Sequence, residues 1–141
     1  KTNFFSKGRF ITKKDDSLAA HCSWTKLIGK GLGWLNPEYQ DILPWIYKAR
    51  RTGEEGGKLL VLSPGGIATN WYRDHVHKKA MVLALNGAVQ FEDDNGIRKQ
   101  NYPTSLIISM FGFGFSGFDV WSWKDNYQPT YFYPSPAKTN Y

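Results

Sequence analysis

Short apolar runs recur along the chain and are bounded by Gly, Pro or Asn, a pattern that predicts strands. The runs are LGWL (32–35), KLLVLSP (58–64) and MVLALNG (81–87). An uninterrupted apolar run such as residues 58–64 is typical of a strand covered on both faces, as in a parallel sheet. We expect residues 32–35 to form a short buried strand as well.

The segments between these strands have helical spacing. Asp41 is a predicted N-cap, and Pro44 then lies in the first turn of a helix that runs to about Arg51. Thr69 is predicted to cap a second helix over residues 70–79. The order β-α-β-α-β predicts an α/β domain with a largely parallel sheet.

The two ends of the chain have different patterns. A short helical turn is expected over residues 17–24, and the loop GKGLG follows at 29–33. Beyond residue 87 the pattern is β-rich: a short strand, a turn at 94–96, a polar link, a strong strand at 105–110 and an edge strand in FDVWSW. Residues 124–141 are rich in Pro and Tyr and are expected to be irregular. The length predicts one domain, 1–141.

Composition narrows the class of protein. The 141 residues are 41% hydrophobic and 16% aromatic, which supports a core and excludes a disordered chain. Lys and Arg number 18 against 12 Asp and Glu, which favours a polyanionic partner, although a solvated basic surface explains the same excess. Cys22 is the sole cysteine, so an internal disulfide and a Cys-based zinc site are excluded, and a cytoplasmic setting is expected. No membrane span and no metal site are predicted.

The segment NPEY (36–39) follows the first predicted strand, and ligands of α/β sheets bind beyond the carboxyl ends of strands. The side chain of Asn36 offers an oxygen acceptor, and Pro37, with its fixed φ, aims a carbonyl as a second acceptor. The ring of Tyr39 can stack on a flat ligand. Two acceptors on one –NH2 group would make its nitrogen nucleophilic. A strand-terminating Asn-Pro turn is the alternative interpretation of the tetrapeptide.

The motif and its surroundings resemble phage-encoded Dam-type DNA N6-adenine methyltransferases. WLNPEY is similar to the Asn-Pro-Pro-Tyr motif of that family. The likeness runs from about Phe10 to Trp123 and includes, in the family order, FITKKDDSL, ILPWIYKA, LLVLSP, TNWYRDHV, LALNGAVQFEDDNG and SLIISMFG.

The resemblance implies a Rossmann-like fold, an S-adenosylmethionine cofactor and a double-stranded DNA substrate. Asn36 and the Pro37 carbonyl would accept hydrogen bonds from the adenine N6, and Tyr39 would stack on the flipped base. Asp15 and Asp16 match an acidic pair that lies near the adenine of the cofactor in the family, and Asp16 is the stronger candidate.

This sequence departs from the family pattern in two places. Glu38 replaces the second proline of the motif. The family's first strand, with an acidic residue and small residues that cradle the cofactor, is absent, and we expect it before Lys1. The alternatives to an enzyme are therefore a non-catalytic nucleic-acid-binding remnant of a methyltransferase, or an enzyme assembled from two pieces.

Other motifs have simpler interpretations. Lys13-Lys14 and Arg98-Lys99 are predicted to lie near DNA phosphates, with a solvated surface as the alternative. FGFGFSGFD (111–119) resembles a permuted cofactor loop only loosely, and its glycines are better explained by crowding at a sheet edge. His75 and His77 are two residues apart on a predicted helix, so they point to different faces and make a poor metal pair.

Overall fold

A computed structural model of the chain describes residues 16–93 and 95–124. The predicted roles of Lys13, Lys14 and Asp15, and the predicted irregular tail after residue 124, fall outside the described residues. The described elements are α1 Trp24–Ile28, β1 Leu32–Leu35, α2 Leu43–Glu54, β2 Lys58–Pro64, α3 Asn70–His75, β3 Met81–Asn86, β4 Gln90–Glu92, β5 Arg98–Asn101, β6 Leu106–Phe111 and β7 Gly117–Ser122.

Five strands form one mixed sheet in the order β1-β2-β6-β3-β7. The pairs β1–β2 and β3–β7 are parallel, whereas β6 is antiparallel to both β2 and β3. The prediction of a largely parallel sheet is therefore wrong for the centre of the sheet. The chain leaves β3 at its carboxyl end, makes the β4–β5 hairpin and enters β6 without a crossover helix, so β6 must run in the opposite direction.

Helices α2 and α3 cover one face of the sheet. Ile46 and Ala49 of α2, with Val76 just after α3, are fully buried and pack with Val61 and Phe111 from the strands. The opposite face carries a second, smaller core of Leu62, Leu106 and Ile108, against which Phe91 and Tyr102 of the hairpin region pack. Strand β2 is thus covered by helices on one side and by the hairpin region on the other.

Strand β1 occupies the predicted residues but is not buried. Leu32 and Trp34 are 60% and 57% exposed. Leu35 packs against the core under the helices, and side chains alternate between faces along a strand, so Leu32 and Trp34 point to the other face. The prediction of a buried strand is wrong because β1 is the outermost strand of the sheet.

The helix boundaries differ from the predicted ones at several points. Residues 17–21 form turns, as predicted for the start of this segment, and a separate first helix, Trp24–Ile28, follows with Ser23 as its N-cap. Pro44 lies in the first turn of α2 as predicted, but the N-cap is Ile42 instead of Asp41 and the helix continues to Glu54.

The cap of α3 is confirmed, because the Thr69 hydroxyl accepts a hydrogen bond from the Tyr72 amide at 3.4 Å. The helix ends at His75 rather than Lys79, and the chain turns through Lys78, whose φ is +60°.

The C-terminal part is β-rich as predicted, with strands only among the described elements after Met81. The edge position of the strand in FDVWSW is confirmed by β7. The predicted polar link is in fact strand β5, whose four residues are all exposed. Within the described residues, no helix combines the length and the apolar character needed to cross a membrane.

Candidate active site at the carboxyl ends of the strands

The segments that follow four strands lie along one edge of the sheet, the edge formed by the carboxyl ends of those strands. Because β1, β2, β3 and β7 run in the same direction, their carboxyl ends lie together, and the reversed β6 begins at the same edge, where Leu106 pairs with Pro64. The segment 36–39 leaves β1 here, beside the end of β2. The predicted position of NPEY at the carboxyl end of a strand is therefore confirmed.

Asn36 and Tyr39 contact each other within this segment. The Tyr39 hydroxyl donates a hydrogen bond to Oδ1 of Asn36 at 2.9 Å. Asn36 is exposed, and an amide oxygen has two lone pairs, so the bond from Tyr39 leaves one acceptor position open to solvent or to a ligand. The contact fixes the orientation of the amide whose oxygen the sequence identified.

The ring of Tyr39 is half-buried between the two cores. It meets Tyr102 edge to face, with ring centroids 5.6 Å apart. Burial, with a smaller effect of Tyr102, raises the pKa of Tyr39 to about 12. The hydroxyl is therefore protonated at neutral pH and remains a hydrogen-bond donor to Asn36.

The two residues between Asn36 and Tyr39 differ in burial. Pro37 is buried and Glu38 is exposed. Pro37 thus anchors the segment against the protein, whereas Glu38 lies at its surface.

The hairpin β4–β5 is attached to the site through Tyr102. The Tyr102 amide donates to the Val89 carbonyl at 2.8 Å, and its ring lies 5.8 Å from that of Phe91 in an edge-to-face contact. A chain of three aromatic rings, Tyr39, Tyr102 and Phe91, therefore connects the NPEY segment to the hairpin.

Arg98 and Lys99 lie on this hairpin and are exposed. The Arg98 Nε forms an ion pair with Glu92 across the hairpin at 3.2 Å, and both side chains are more than half exposed. The structure thus brings the predicted basic pair to the edge of the sheet that carries Asn36. Sequence reasoning missed Tyr102, whose signal was an aromatic residue immediately before Pro103, between two strand patterns.

Asp16 begins a turn that is attached to α2, and its carbonyl accepts a hydrogen bond from the Ala19 amide at 2.9 Å. The Lys48 ammonium donates to the carbonyls of Ser17 at 2.6 Å and Ala19 at 3.0 Å. Burial lowers the pKa of Lys48, and the nearby Cys22 and Asp16 oppose that shift.

The FGFGFSG segment lies at the other edge of the sheet, between the end of β6 and the start of β7. Gly112 has φ +83°, and a Cβ there would overlap the Gly57 carbonyl oxygen. The interpretation of these glycines as relief of crowding is confirmed at Gly112. A cofactor loop that acts together with Asn36 would have to lie at the opposite edge, where the parallel strands have their carboxyl ends.

The described residues contain no group of three or more His, Cys, Asp or Glu side chains placed to hold a metal ion. His75, in α3, packs edge to face against Tyr47 at 5.6 Å, and the exposed His77 follows the end of that helix.

Comparison with known proteins identifies a family. A family model described as DNA N-6-adenine-methyltransferase (Dam) matches residues 2–130. No curated protein and no solved structure matches the chain. The family match covers most of the sequence, including the NPEY segment and the hairpin, and it confirms the resemblance to the Dam family, though not to its phage-encoded members in particular.

Proposed function

The chain belongs to the Dam family of DNA N-6-adenine-methyltransferases, and we propose that it transfers a methyl group from S-adenosylmethionine to N6 of an adenine flipped out of double-stranded DNA. The observation that carries this proposal is the hydrogen bond from Tyr39 to the exposed amide of Asn36 at the end of β1. The mixed α/β sheet is consistent with a methyltransferase-like fold, and a Rossmann-like classification is part of the same proposal.

Asn36 and Pro37 would act on the exocyclic amine of adenine. The second lone pair of Asn36 Oδ1 accepts one N6 hydrogen, and the Pro37 carbonyl accepts the other. These bonds would localise the nitrogen lone pair at N6, which would make it nucleophilic toward the methyl group that S-adenosylmethionine supplies, and the N6 proton displaced by the methyl group would leave to water. Because Tyr39 fixes the Asn36 amide before the base arrives, the amide loses less conformational freedom when the base binds.

Tyr39 would hold the adenine ring. An aromatic side chain stacks on a flipped base and compensates for the stacking lost when the base leaves the duplex. Tyr102 restricts the Tyr39 ring from the side, and Asn36 restricts its hydroxyl, so the ring is held in one orientation.

S-adenosylmethionine, when bound, supplies an electrophilic methyl group. Of the two acidic residues that the family pattern assigns to its adenine, the structure describes Asp16. Its carboxylate is exposed and has no ion-pair partner among the described residues, so it is free to accept hydrogen bonds. We propose that Asp16, with Asp15, contacts the cofactor's adenosine part.

Arg98 and Lys99 would contact DNA phosphates beside the flipped base. Their exposure on a hairpin attached to Tyr39 through Tyr102 supports this role. Such contacts supply attraction that does not depend on base sequence and that weakens with salt.

The second candidate function is nucleic-acid binding without catalysis. The exposed Glu38 favours it, because a carboxylate next to Asn36 repels the phosphates of an approaching strand. The replacement Glu38→Pro removes this charge and restores the family's second proline.

The test is transfer of a labelled methyl group from S-adenosylmethionine to unmethylated duplex DNA by the full chain. We expect Asn36→Ala to lower the rate roughly 100-fold or more, the effect of removing one group that stabilises a transition state. Asn70→Ala, at an exposed position of α3, is the matched control and should retain the parent rate. Equal rates for the parent and Asn36→Ala would contradict the role of Asn36, and DNA binding with no transfer by the parent or Glu38→Pro would favour the non-catalytic function.

A further inference from the structure

A basic cleft lies at the edge of the sheet opposite Asn36. It has a volume of ≈ 320 Å³ and lies between the end of α2, the turn before β3 and the β6–β7 loop. We use the name basic cleft for the space bounded by Arg50, Glu54, Lys78, Lys79, Gly112 and Phe115. Strand β2 separates the two edges, and from Leu59 to Pro64 it spans about 17 Å at the usual rise per residue.

The floor of the cleft is built from backbone. A Cβ on Gly53 would lie 2.8 Å from the Gly112 nitrogen, so α2 and the loop touch without side chains between them. Gly112 and Gly114 have φ of +83° and +80° and flank Phe113, whose φ is not positive. Alternation of this kind turns successive N–H groups toward one side and forms concavities that bind anions.

The N–H groups of this loop are available to a ligand. Among the described residues, the N–H groups of residues 113–116 have no hydrogen-bond partner, and the next one, of Gly117, donates to the Ala80 carbonyl at 3.3 Å. These N–H groups must therefore be satisfied by solvent or by a bound anion.

The side chains around the cleft are predominantly cationic. Arg50 pairs with Glu54 at 2.6 Å, while its Nε is buried and has no hydrogen-bond partner in the described part of the chain. Lys78 and Lys79 have no ion-pair partner among the described residues. Among the described residues that line the cleft, Glu54 is the only carboxylate, and it also pairs with Arg51 at 3.1 Å, so this lining retains an excess of positive charge.

Aromatic rings lie on the same loop as the free N–H groups. Phe115 is 58% exposed and meets Phe113 at 6.5 Å between ring centroids. The Lys58 ammonium lies 5.8 Å from the centre of the Phe113 ring, which brings a further cation to this edge of the sheet. An exposed ring beside cations and N–H donors matches the two components of a nucleotide, a flat base and a phosphate.

We propose that the basic cleft binds a phosphate group of single-stranded nucleic acid, with the adjoining base against Phe115. Phosphate oxygens would accept hydrogen bonds from the loop N–H groups and face Lys78 and Lys79. A single strand is favoured because a base within a duplex has no free face for Phe115 to contact. This contact goes beyond the proposed methyl transfer and is independent of it, since it lies at the other edge of the sheet.

The test is a titration of the ¹⁵N-labelled full chain, without cofactor, followed by amide chemical shifts. The probes are inorganic phosphate, a thymidine pentanucleotide, a short duplex and a Glu-rich peptide. We expect phosphate and the pentanucleotide to shift the amides of residues 112–116, and the pentanucleotide to bind more tightly than phosphate.

Two variants test the phosphate contact and the base contact separately. Lys78→Asn with Lys79→Gln should reduce the slope of log K against log salt for pentanucleotide binding by about 0.7 for each lost phosphate contact. Lys26→Gln with Lys30→Gln, exposed positions at α1, is the matched control and should change nothing at the cleft. Phe115→Ser should weaken pentanucleotide binding roughly 5- to 150-fold and leave phosphate binding unchanged.

Several results would overturn the proposal: no shift of residues 112–116 with either phosphate or the pentanucleotide, pentanucleotide binding no tighter than that of phosphate, or tighter binding of the duplex or the peptide. Since the measurement needs neither cofactor nor transfer, an absence of methyltransferase activity leaves it unaffected.

Discussion

The Tyr39 hydroxyl holds the amide oxygen of Asn36 at 2.9 Å. The residues are three apart, and the buried Pro37 lies between them, so a single turn of chain positions an acceptor and a ring together. The amide of Asn36 and the ring of Tyr39, predicted as separate contacts to one base, therefore form one hydrogen-bonded unit. Changes to the ring and changes to the amide should affect each other.

This coupling predicts different effects for two substitutions of Tyr39. Tyr39→Phe retains the ring and loses the bond that orients Asn36, so we expect methyl transfer to fall roughly tenfold, as for one neutral hydrogen bond. Tyr39→Ala also loses stacking, which is worth roughly 1–3 kcal/mol per base, and should fall much further. Single-turnover transfer rates measure both, with Tyr47→Phe at a half-exposed position as the control. Equal rates for the two variants would show that the ring contributes nothing.

The raised pKa of Tyr39 predicts a loss of stability at alkaline pH. The pKa rises from 10.0 to about 12 on folding, so the folded state retains a proton that the unfolded chain releases. The resulting stabilisation is complete below pH 10 and is lost as the pH rises from 10 to 12. The free energy of unfolding, measured in urea from pH 8 to 11.5, should fall more steeply for the parent than for Tyr39→Phe. Parallel curves would contradict the assignment to Tyr39.

Two glycines of the β6–β7 loop provide a matched test of packing against backbone conformation. Both have positive φ, but a Cβ on Gly114 meets open space, whereas one on Gly112 overlaps the Gly57 carbonyl. Gly114→Ala should cost about 1 kcal/mol through strain alone. Gly112→Ala should cost roughly 3–5 kcal/mol, because α2 and the loop must separate. Urea denaturation measures both, and equal losses would refute the close approach.

The basic pair on the hairpin predicts a change in salt dependence. Arg98→Gln with Lys99→Gln should weaken binding of duplex DNA and reduce the slope of log K against log salt by about 0.9 for each lost phosphate contact. The free energy of unfolding should hardly change, because all four residues of β5 are exposed. Fluorescence anisotropy at several salt concentrations measures the slope, with the α1 variant Lys26→Gln/Lys30→Gln as the control. An unchanged slope would place DNA elsewhere.

Local sequence patterns predicted the positions of helices and strands better than they predicted the order and direction of the strands in the sheet. Strand β2 has the predicted bounds, and Pro44 and Thr69 mark helix starts, because these signals depend on neighbouring residues. The reversal of β6 and the exposure of Trp34 depend on which strands pair, and no local pattern contains that information. Strand β5 was missed because its ladder is formed by backbone groups, while its side chains are polar and exposed.

The candidate site was predicted only as far as the family pattern reaches. The pattern gave Asn36, Pro37 and Tyr39, and the structure adds the bond between Asn36 and Tyr39. The contact of Tyr39 with Tyr102 joins residues 63 positions apart, so the sequence alone could not reveal it. The family pattern also assigns Asp16 to the cofactor's adenine, and that role stays a prediction.

The hairpin that carries Arg98 and Lys99 is held to the protein by Tyr102 and Phe91, while every side chain of β5 faces solvent. Selection can therefore exchange the outward residues of β5 without opening cavities in the core. The fold in this way keeps the residues proposed to contact DNA phosphates apart from those that stabilise the core, so that a change in one set need not disturb the other.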